Sequence, residues 1–305
     1  MNSLRTPFEA IVQVDAIAKH NAFSLNEIVE AARTEQLPPA KEDQNQTLLL
    51  IIDPQYDFME TGALPVPGSI GDVERLTRFL YRNLHKVTQV ALTKDVHTLV
   101  QIFHPAWWKD AQGKSPEPVT TVIHLDDVRQ GKWIPQFEQE QSIRYLETLE
   151  KYGKKELRIW PYHCIEGTRG AELEQQLMNL VMFHAAARGT NPVILEKGKE
   201  AASEMYGAFY QEDGTVHDKN QIFLEQLAMY DKIYIAGEAK SHCVLESVEQ
   251  IVRHYANDRS VTEKLYVLDD CMSPIPGSEQ AVETALQQLS QSYGIHIIDS
   301  TDIHL

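Results

Sequence analysis

Cysteine and long apolar runs are both scarce in this sequence of 305 residues. Its three cysteines, Cys164, Cys243 and Cys271, form an odd and widely spaced set. Such a set excludes a disulfide framework and is typical of a reducing compartment. No apolar run approaches the roughly 20 residues that a membrane-spanning helix needs, and no signal-peptide core follows the N-terminus. The sequence therefore predicts a cytoplasmic protein that does not span a membrane.

Basic residues are also in short supply. Lys and Arg number 28 against 44 Asp and Glu, which gives a formal net charge of -16. Nucleic acids and anionic membrane surfaces require a basic footprint on a protein partner, so this charge argues against both. The hydrophobic fraction of 43% is that of an ordinary globular protein. We therefore expect the partner to be a small molecule.

Residues 1–46 differ in pattern from the rest and are predicted to form a helical appendage and linker. Ser24 is placed to cap a short helix that runs through Ala32, and Leu37-Pro38-Pro39 begins the linker. The appendage packs either on the main domain or on a neighbouring subunit. A further amphipathic face is predicted upstream from Phe8, Ile11, Val12, Val14 and Ile17.

From Thr47 onward, apolar strands alternate with amphipathic helices. The run from Leu48 to Ile52 is continuously apolar, as expected for a central parallel strand covered on both faces. This alternation predicts a three-layer α/β/α fold with a mainly parallel central sheet. We assign residues 47–305 to one domain, with an insertion at about 109–157. Further strands are predicted at 87–92, 193–195, 232–236, 264–268 and 295–298.

The stretch around Cys243 suggests chemistry. An apolar run from Ile233 to Ala236 meets Gly237 and a turn, and Cys243 then opens an amphipathic helix. A cysteine at a helix N-terminus lies at the positive end of the helix dipole, which favours thiolate over thiol. The same position can stabilise a developing oxyanion. The alternative is a buried, inert cysteine in a turn between strand and helix.

Other reactive side chains stand at the ends of predicted strands. They are Asp53, the pair Asp95 and His97, and Lys197. Parallel strands end at one edge of a sheet, so we expect these groups to meet Cys243 there. A carboxylate that accepts the thiol proton, beside an ammonium that supports negative charge, can activate a cysteine for attack on a carbonyl.

A metal site is also predicted. Asp95 and His97 are two positions apart, so in an extended segment both side chains reach one ion. The run Trp160-Pro161-Tyr162-His163-Cys164 offers a third ligand. Mixed oxygen and nitrogen ligands suit zinc, iron or manganese, of which we favour zinc.

Taken in chain order, these pieces resemble the isochorismatase-like cysteine hydrolases and, within them, the nicotinamidases. The resemblance runs from about Thr47 to Ser300. The run from Trp160 to Glu172 is its most specific part and is typical of the metal-containing nicotinamidases. The matching pieces are Asp53-Pro54-Gln55-x-Asp57-Phe58, Asp95-x-His97, Trp160-Pro161-x-His163-Cys164-x-x-Gly167-Thr168-x-Gly170-Ala171-Glu172, Lys197-Gly198 and Gly237-x-Ala239-x-x-x-Cys243-Val244.

The resemblance implies an activity and roles for the reactive residues. The activity is hydrolysis of nicotinamide to nicotinate and ammonia through a thioester on Cys243. Asp53 would be the general base and Lys197 the third member of the catalytic triad. The backbone N–H groups of Ala239 and Cys243 would form the oxyanion hole, in a turn where the Glu238–Ala239 peptide is cis.

The resemblance also implies how the substrate is held. Asp95, His97 and His163 would hold one divalent metal ion, which binds the pyridine nitrogen. Trp160 and Phe58 would flank the aromatic ring. A homo-oligomer is expected as well.

Some choices stay open at this point. Many bacterial relatives have a further histidine after D-x-H, and here Gln101 and His104 are the candidates for a fourth ligand. A second C–N hydrolase function, on a carbamoyl or aliphatic amide, competes with nicotinamide hydrolysis. A non-catalytic binding protein on the same fold is the third interpretation. Asp57 is expected to be structural.

Overall fold

The computed structural model describes residues 4–19, 21–152, 156–215 and 218–303. Within these residues, no helix has the length and apolar character required to cross a bilayer. The strands are β1 (Thr47–Ile52), β2 (Gln89–Asp95), β3 (Trp108–Lys109), β4 (Val122–Ile123), β5 (Ile134–Pro135), β6 (Leu157–Arg158), β7 (Val193–Lys197), β8 (Lys232–Gly237), β9 (Leu265–Leu268) and β10 (His296–Ile298). The helices are α1 (Leu25–Arg33), α2 (Ser69–Asn83), α3 (Leu125–Arg129), α4 (Gln139–Tyr152), α5 (Gln175–Arg188), α6 (Asp218–Gln226), α7 (Leu245–His254), α8 (Arg259–Thr262) and α9 (Glu279–Tyr293).

A six-stranded parallel sheet forms the centre of the fold, in the order β10-β9-β8-β1-β2-β7. Strand β1 lies between β8 and β2, with Leu50 opposite Ile235 on one side and Ala91 on the other. All six residues of β1 are buried, because helices cover both faces of the sheet. The predicted three-layer α/β/α fold is confirmed.

Successive residues of β1 enter two different cores, as the two-residue period of a strand requires. Leu49 and Ile51 face the core that α2 and α5 complete. Leu48, Leu50 and Ile52 face the core that α6, α7 and α9 complete. The apolar run that predicts a doubly covered strand thus fills both layers at once.

The N-terminal segment packs on the first of these cores. Phe8, Ile11, Val12 and Ile17 are buried there, but the segment forms two short 3-10 turns, Phe8–Ala10 and Val14–Ala16, instead of a continuous helix. Side chains of α5 explain the difference, because Gln176 and Glu174 accept hydrogen bonds from the backbone N–H groups of residues 13 and 18 at 2.8 and 3.1 Å. A continuous helix would bond those groups internally.

The helix predicted after Ser24 is present as α1. The Ser24 side chain accepts from the backbone N–H of Glu27, and the Glu27 side chain accepts from the N–H of Ser24, which forms a capping box. Farther along, Asp43 pairs with Arg188 of α5 at 2.5 Å, and the Arg188 side chain is fully buried. These contacts attach the segment before β1 to the main body of the same chain.

Residues between β2 and α5 carry a third, smaller core. Two antiparallel strand pairs, β3 with β5 and β4 with β6, lie there with α3 and α4. Their apolar side chains pack with Phe103 and Trp160. Since Trp160 is also a predicted site residue, this small core supports one wall of the site.

Candidate active site

Four neighbouring strands, which include the edge strand β7, place the predicted reactive groups together. Strands β8, β1, β2 and β7 are consecutive neighbours, and Lys197 at the end of β7 reaches across them. Its Nζ atom lies 2.9 Å from Asp53 Oδ2, 2.6 Å from Asp95 Oδ1 and 3.7 Å from Cys243 Sγ. It also donates to the Met205 carbonyl at 3.1 Å. The ammonium group thus connects two carboxylates and the thiol.

Burial and neighbouring charges shift the pKa values of these groups strongly. Burial disfavours the ammonium of Lys197, but Asp53 and Asp95 outweigh burial and hold its pKa well above its usual range. Burial would raise the pKa of Asp95, yet Lys197 and His97 hold it well below its usual range. For Asp53 burial wins over Lys197 and raises the pKa to about 6. Asp53 is therefore the carboxylate that gains and loses a proton near neutral pH.

The thiol of Cys243 differs from the sequence expectation. Burial raises the pKa of Cys243 well above its usual range, and Lys197 opposes this only in part. The structure does not bear out the expectation of a favoured thiolate, because burial and the carboxylates of Asp53 and Asp95 raise the pKa of this thiol. The thiol therefore needs a base to take its proton, and Asp53 is in contact with it.

A tight turn brings Cys243 into this position. Gly237 ends β8 at φ 120°, and a Cβ atom there would lie 2.0 Å from the Ile52 carbonyl oxygen, so only glycine fits. The Glu238–Ala239 peptide is cis, as the resemblance implies. A π-helical turn, Lys240–Val244, then precedes α7. Cys243 lies in that turn and does not begin the α-helix itself.

The same turn offers backbone donors. Ala239 is buried, and its carbonyl accepts from the N–H groups of His242 and Val244 at 3.0 and 3.2 Å. Across the described ranges, the N–H of Ala239 has no hydrogen-bond partner. Ala239 and Cys243 both line the pocket. A negative oxygen beside the Cys243 sulfur would meet this turn.

Three potential metal ligands lie beside Lys197. Ligand atoms of Asp95, His97 and His163 are all within 4.8 Å of one another. His97 Nδ1 lies 2.9 Å from the Gly198 carbonyl and His163 Nδ1 lies 2.8 Å from the Pro161 carbonyl. A carbonyl only accepts, so both Nδ1 atoms carry the proton and both Nε2 atoms are available to a cation.

The charge of this group also fits a divalent ion. Burial, and then His97, lowers the pKa of His163 to about 3, so its imidazole is neutral, as a ligand must be. Asp53 and Asp95 are two buried carboxylates against the single ammonium of Lys197. The donor set and the excess negative charge suit a divalent metal.

The two candidates for a fourth ligand differ. Gln101 accepts from the N–H of Thr98 at 3.0 Å, and its amide donates to the carbonyls of Gly198 and Glu200 at 2.7 and 2.9 Å. Its polar atoms thus hold the loop. His104 is fully buried with its ring centroid 6.2 Å from that of His97, outside the group of three close ligands.

A pocket of about 490 Å³ of empty space lies in front of Cys243. Phe58 and Trp160, for which the resemblance implies contact with the substrate ring, both line it, together with His163 and Ala239. Asp57, by contrast, accepts from the N–H of Cys164 at 2.7 Å, which is the structural role expected for it.

Sequence reasoning missed Glu204 and left Tyr206 unassigned. The Trp160 indole N–H lies 3.1 Å from Glu204 Oε1 and 2.9 Å from the Tyr206 hydroxyl, which itself donates to Glu204 at 2.6 Å. Glu204 therefore fixes the orientation of the indole ring. An acidic residue two positions before a tyrosine has no spacing that would have singled it out.

A buried thiol, carboxylate and ammonium lie together at the C-terminal edge of a parallel sheet, beside a carboxylate–histidine donor set, and this is the set of groups that a cysteine hydrolase requires. No family model matches the chain. A curated nicotinamidase of Schizosaccharomyces pombe is 25% identical over 216 residues, which cover 70% of this chain and 80% of that protein.

Two solved structures share the fold. An Acinetobacter baumanii nicotinamidase/pyrazinamidase matches with a TM-score of 0.59 and 24% identity, over 86% of this chain and 99% of that one. A Pyrococcus horikoshii pyrazinamidase in complex with zinc matches with a TM-score of 0.50 and 20% identity, over 83% and 99%. These matches show that the chain shares the fold of the nicotinamidase and pyrazinamidase structures, and together with the sequence similarity they support an isochorismatase-like, nicotinamidase-like family.

Proposed function

We propose that this protein hydrolyses nicotinamide to nicotinate and ammonia through a thioester on Cys243. The observation that carries the proposal is the buried Lys197 ammonium group, which joins Asp53, Asp95 and the Cys243 thiol beside an aromatic-lined pocket. The sequence similarity to a curated nicotinamidase supports the choice of substrate.

Asp53 begins the reaction as the base. It takes the proton from the Cys243 thiol, and the sulfur attacks the amide carbonyl carbon. Lys197 stabilises the negative charge on sulfur, since it lies 3.7 Å from Sγ. The carbon–nitrogen bond then breaks, and Asp53 passes its proton to the leaving ammonia.

Hydrolysis of the thioester completes the cycle. Asp53 takes a proton from water, the resulting hydroxide attacks the thioester carbon, and the carbon–sulfur bond breaks to release nicotinate. Asp53 then returns its proton to the sulfur, which restores the thiol and the base. The backbone N–H groups of Ala239 and Cys243 are the donors for the oxyanion in both halves. The N–H of Ala239 supports this role, because it has no other partner in the part of the chain that the structure describes.

Asp95, His97 and His163 are the residues that would hold the metal, and we propose zinc. Two imidazoles and one carboxylate match its ligand preferences, and the P. horikoshii pyrazinamidase is described in complex with zinc. When bound, the ion would supply a Lewis-acidic contact for the pyridine nitrogen. Phe58 and Trp160 would hold the ring between them.

An ammonia-release assay tests the substrate. We expect a much higher kcat/KM for nicotinamide than for benzamide, which has the same shape without the ring nitrogen. Equal rates on the two amides, or activity confined to carbamoyl or aliphatic amides, would overturn the proposal. The cytoplasmic location and the homo-oligomeric state stay predictions.

A further inference from the structure

A second pair of acidic groups is buried behind the turn that carries Ala239 and Cys243. Glu238 belongs to that turn and is 1% exposed, and Asp72 of α2 is 2% exposed. Among the described residues, both carboxyl oxygens of Glu238 and Asp72 Oδ2 lack a hydrogen bond of normal geometry, and Ser273 is a neutral donor that interacts with both acids. Three buried acceptor oxygens with so little donor support would be costly if both groups were ionised.

The two carboxyl groups are in contact with each other. They lie within hydrogen-bonding reach, and two ionised carboxylates are both acceptors, so one must hold a proton for that bond to form. Asp72 Oδ1 already pairs with Arg75 at 2.6 Å. Asp72 is therefore the partner that stays ionised, and Glu238 is the partner that holds the proton.

The charges around the pair support this assignment. Arg75 is the basic group that faces it from α2, and it also acts on Glu238. Lys240, two residues beyond Glu238, pairs instead with Asp269 and Glu283. The single charge of Arg75 balances only one ionised carboxylate of this buried pair. The other carboxyl group therefore keeps its proton. Burial, and then Asp72, raises the pKa of Glu238 well above its usual range.

The pair sits where three parts of the chain meet. The Glu238 N–H donates to the Ile52 carbonyl at 2.8 Å, next to Asp53, and the Lys240 N–H donates to the Ser273 carbonyl at 2.9 Å. Asp72 lies in the first turn of α2. Ser273 interacts with both acids, through its side chain with Asp72 and through its backbone with Glu238. A bond between Glu238 and Asp72 therefore ties the turn to α2.

We propose that Glu238 stays protonated and donates a hydrogen bond to Asp72, and that this acid pair positions the turn carrying Ala239 and Cys243. Glu238 is then a positioning residue that touches no reacting atom. Its link to catalysis depends on the proposed function, whereas its protonation does not.

The pH dependence of stability tests the protonation. Because the folded-state pKa of Glu238 is raised, the folded protein holds one proton more than the unfolded chain above pH 4.5, the ordinary glutamate value. Stability from this group is complete below that pH and is lost as pH rises through the raised pKa. Between the unfolded-state pKa and the folded-state pKa of Glu238, this group raises the unfolding equilibrium constant by up to about tenfold per pH unit.

Glu238→Gln removes this contribution, because its neutral amide donates to Asp72 at every pH. We therefore compare the slopes of the unfolding equilibrium constant against pH over pH 6–8. For each pH unit, the wild-type constant should rise by up to about tenfold more than the constant of Glu238→Gln. Asp72→Asn should also weaken the pH dependence, since it removes the charge that keeps Glu238 protonated. Glu74→Gln, on the solvent side of the same helix, is the control and should behave like the wild type.

Infrared spectra and kinetics complete the test. The wild type should show the carbonyl stretch of a protonated carboxyl at pH 7, and Glu238→Gln should lose it. Glu238→Leu, which has no donor, should lower kcat more than it raises KM, while Glu238→Gln restores kcat. Equal pH slopes for wild type and Glu238→Gln, with no difference in the carboxyl band, would overturn the proposal even if no amide were hydrolysed.

Discussion

Two clusters of buried carboxyl groups lie on either side of the same turn, and they differ in their partners. In the first, Asp53 and Asp95 share the ammonium of Lys197. In the second, Glu238 and Asp72 contact each other, with Arg75 on one side only. Burial raises the pKa of a carboxyl group in both places, but only Asp95, which contacts His97 as well as Lys197, ends below its usual pKa. The partner decides which carboxyl group is charged, and therefore which cluster can move a proton during catalysis.

The largest expected effect comes from removing the nucleophile of the first cluster. Cys243→Ala should lower kcat by at least about a thousandfold, because no second nucleophile takes part in the proposed reaction. Ammonia release at saturating nicotinamide measures it. Cys271→Ala, which removes another buried thiol, is the control and should keep its activity. Turnover by Cys243→Ala at the wild-type rate would show that the first cluster is not the catalytic one.

Removing the shared cation should be nearly as damaging. Lys197→Met leaves Asp53 and Asp95 buried without their partner, so we expect a loss of about 3–5 kcal/mol in the free energy of unfolding. Chemical denaturation measures the loss. Lys199→Met removes a half-exposed lysine that pairs with Glu196, and it should cost less than about 1 kcal/mol. Similar losses in the two variants would contradict the assignment of Lys197 as the group that balances the cluster.

The metal ligands should show an intermediate effect. His163→Ala should reduce the bound metal from about one divalent ion per chain and raise the KM for nicotinamide. Elemental analysis and kinetics of the same preparation measure both quantities. His124→Ala, which removes an exposed histidine between β4 and α3, is the control. An unchanged metal content in His163→Ala would remove this residue from the donor set.

The pH profile separates the two clusters directly. With the pKa of Asp53 raised to about 6, protonation removes the base below that value, and kcat/KM should fall about tenfold per pH unit on the acid side. Glu238→Gln should leave this acid limb in place, since its own effect concerns stability at higher pH. A shift of the acid limb in Glu238→Gln would mean that the two clusters titrate together.

Substitution of the ring-stacking residue should have the smallest effect. Trp160→Phe keeps an aromatic ring but loses the indole N–H that Glu204 and Tyr206 orient. The loss of transition-state stabilisation, calculated from the ratio of the kcat/KM values, should be about 0.5–1.5 kcal/mol and should come mainly from a higher KM. Trp133→Phe, a half-buried tryptophan away from the pocket, is the matched control. An effect above a hundredfold would show that the indole does more than orient the ring.

Sequence alone predicts the first cluster but not the second. Asp53, Asp95 and Lys197 each follow an apolar strand, and the rule that parallel strands end at one edge brings them together. The assignment of His163 as the third ligand and the cis Glu238–Ala239 peptide come from the family resemblance. Glu238 contacts Asp72 only through tertiary packing, and no local pattern relates the two positions. The raised pKa of the Cys243 thiol is likewise outside the reach of sequence alone, since burial is a property of the folded chain.

The most direct test of the account is the chemical identity of the intermediate. Rapid acid quenching during turnover of nicotinamide, followed by peptide mass spectrometry, should show a nicotinoyl group on the peptide that contains Cys243. The adduct should be absent from Cys164 and Cys271 and from the Cys243→Ala protein. Turnover at full rate with no acylated peptide, or acylation at a different residue, would contradict a reaction through Cys243 at the Lys197 cluster.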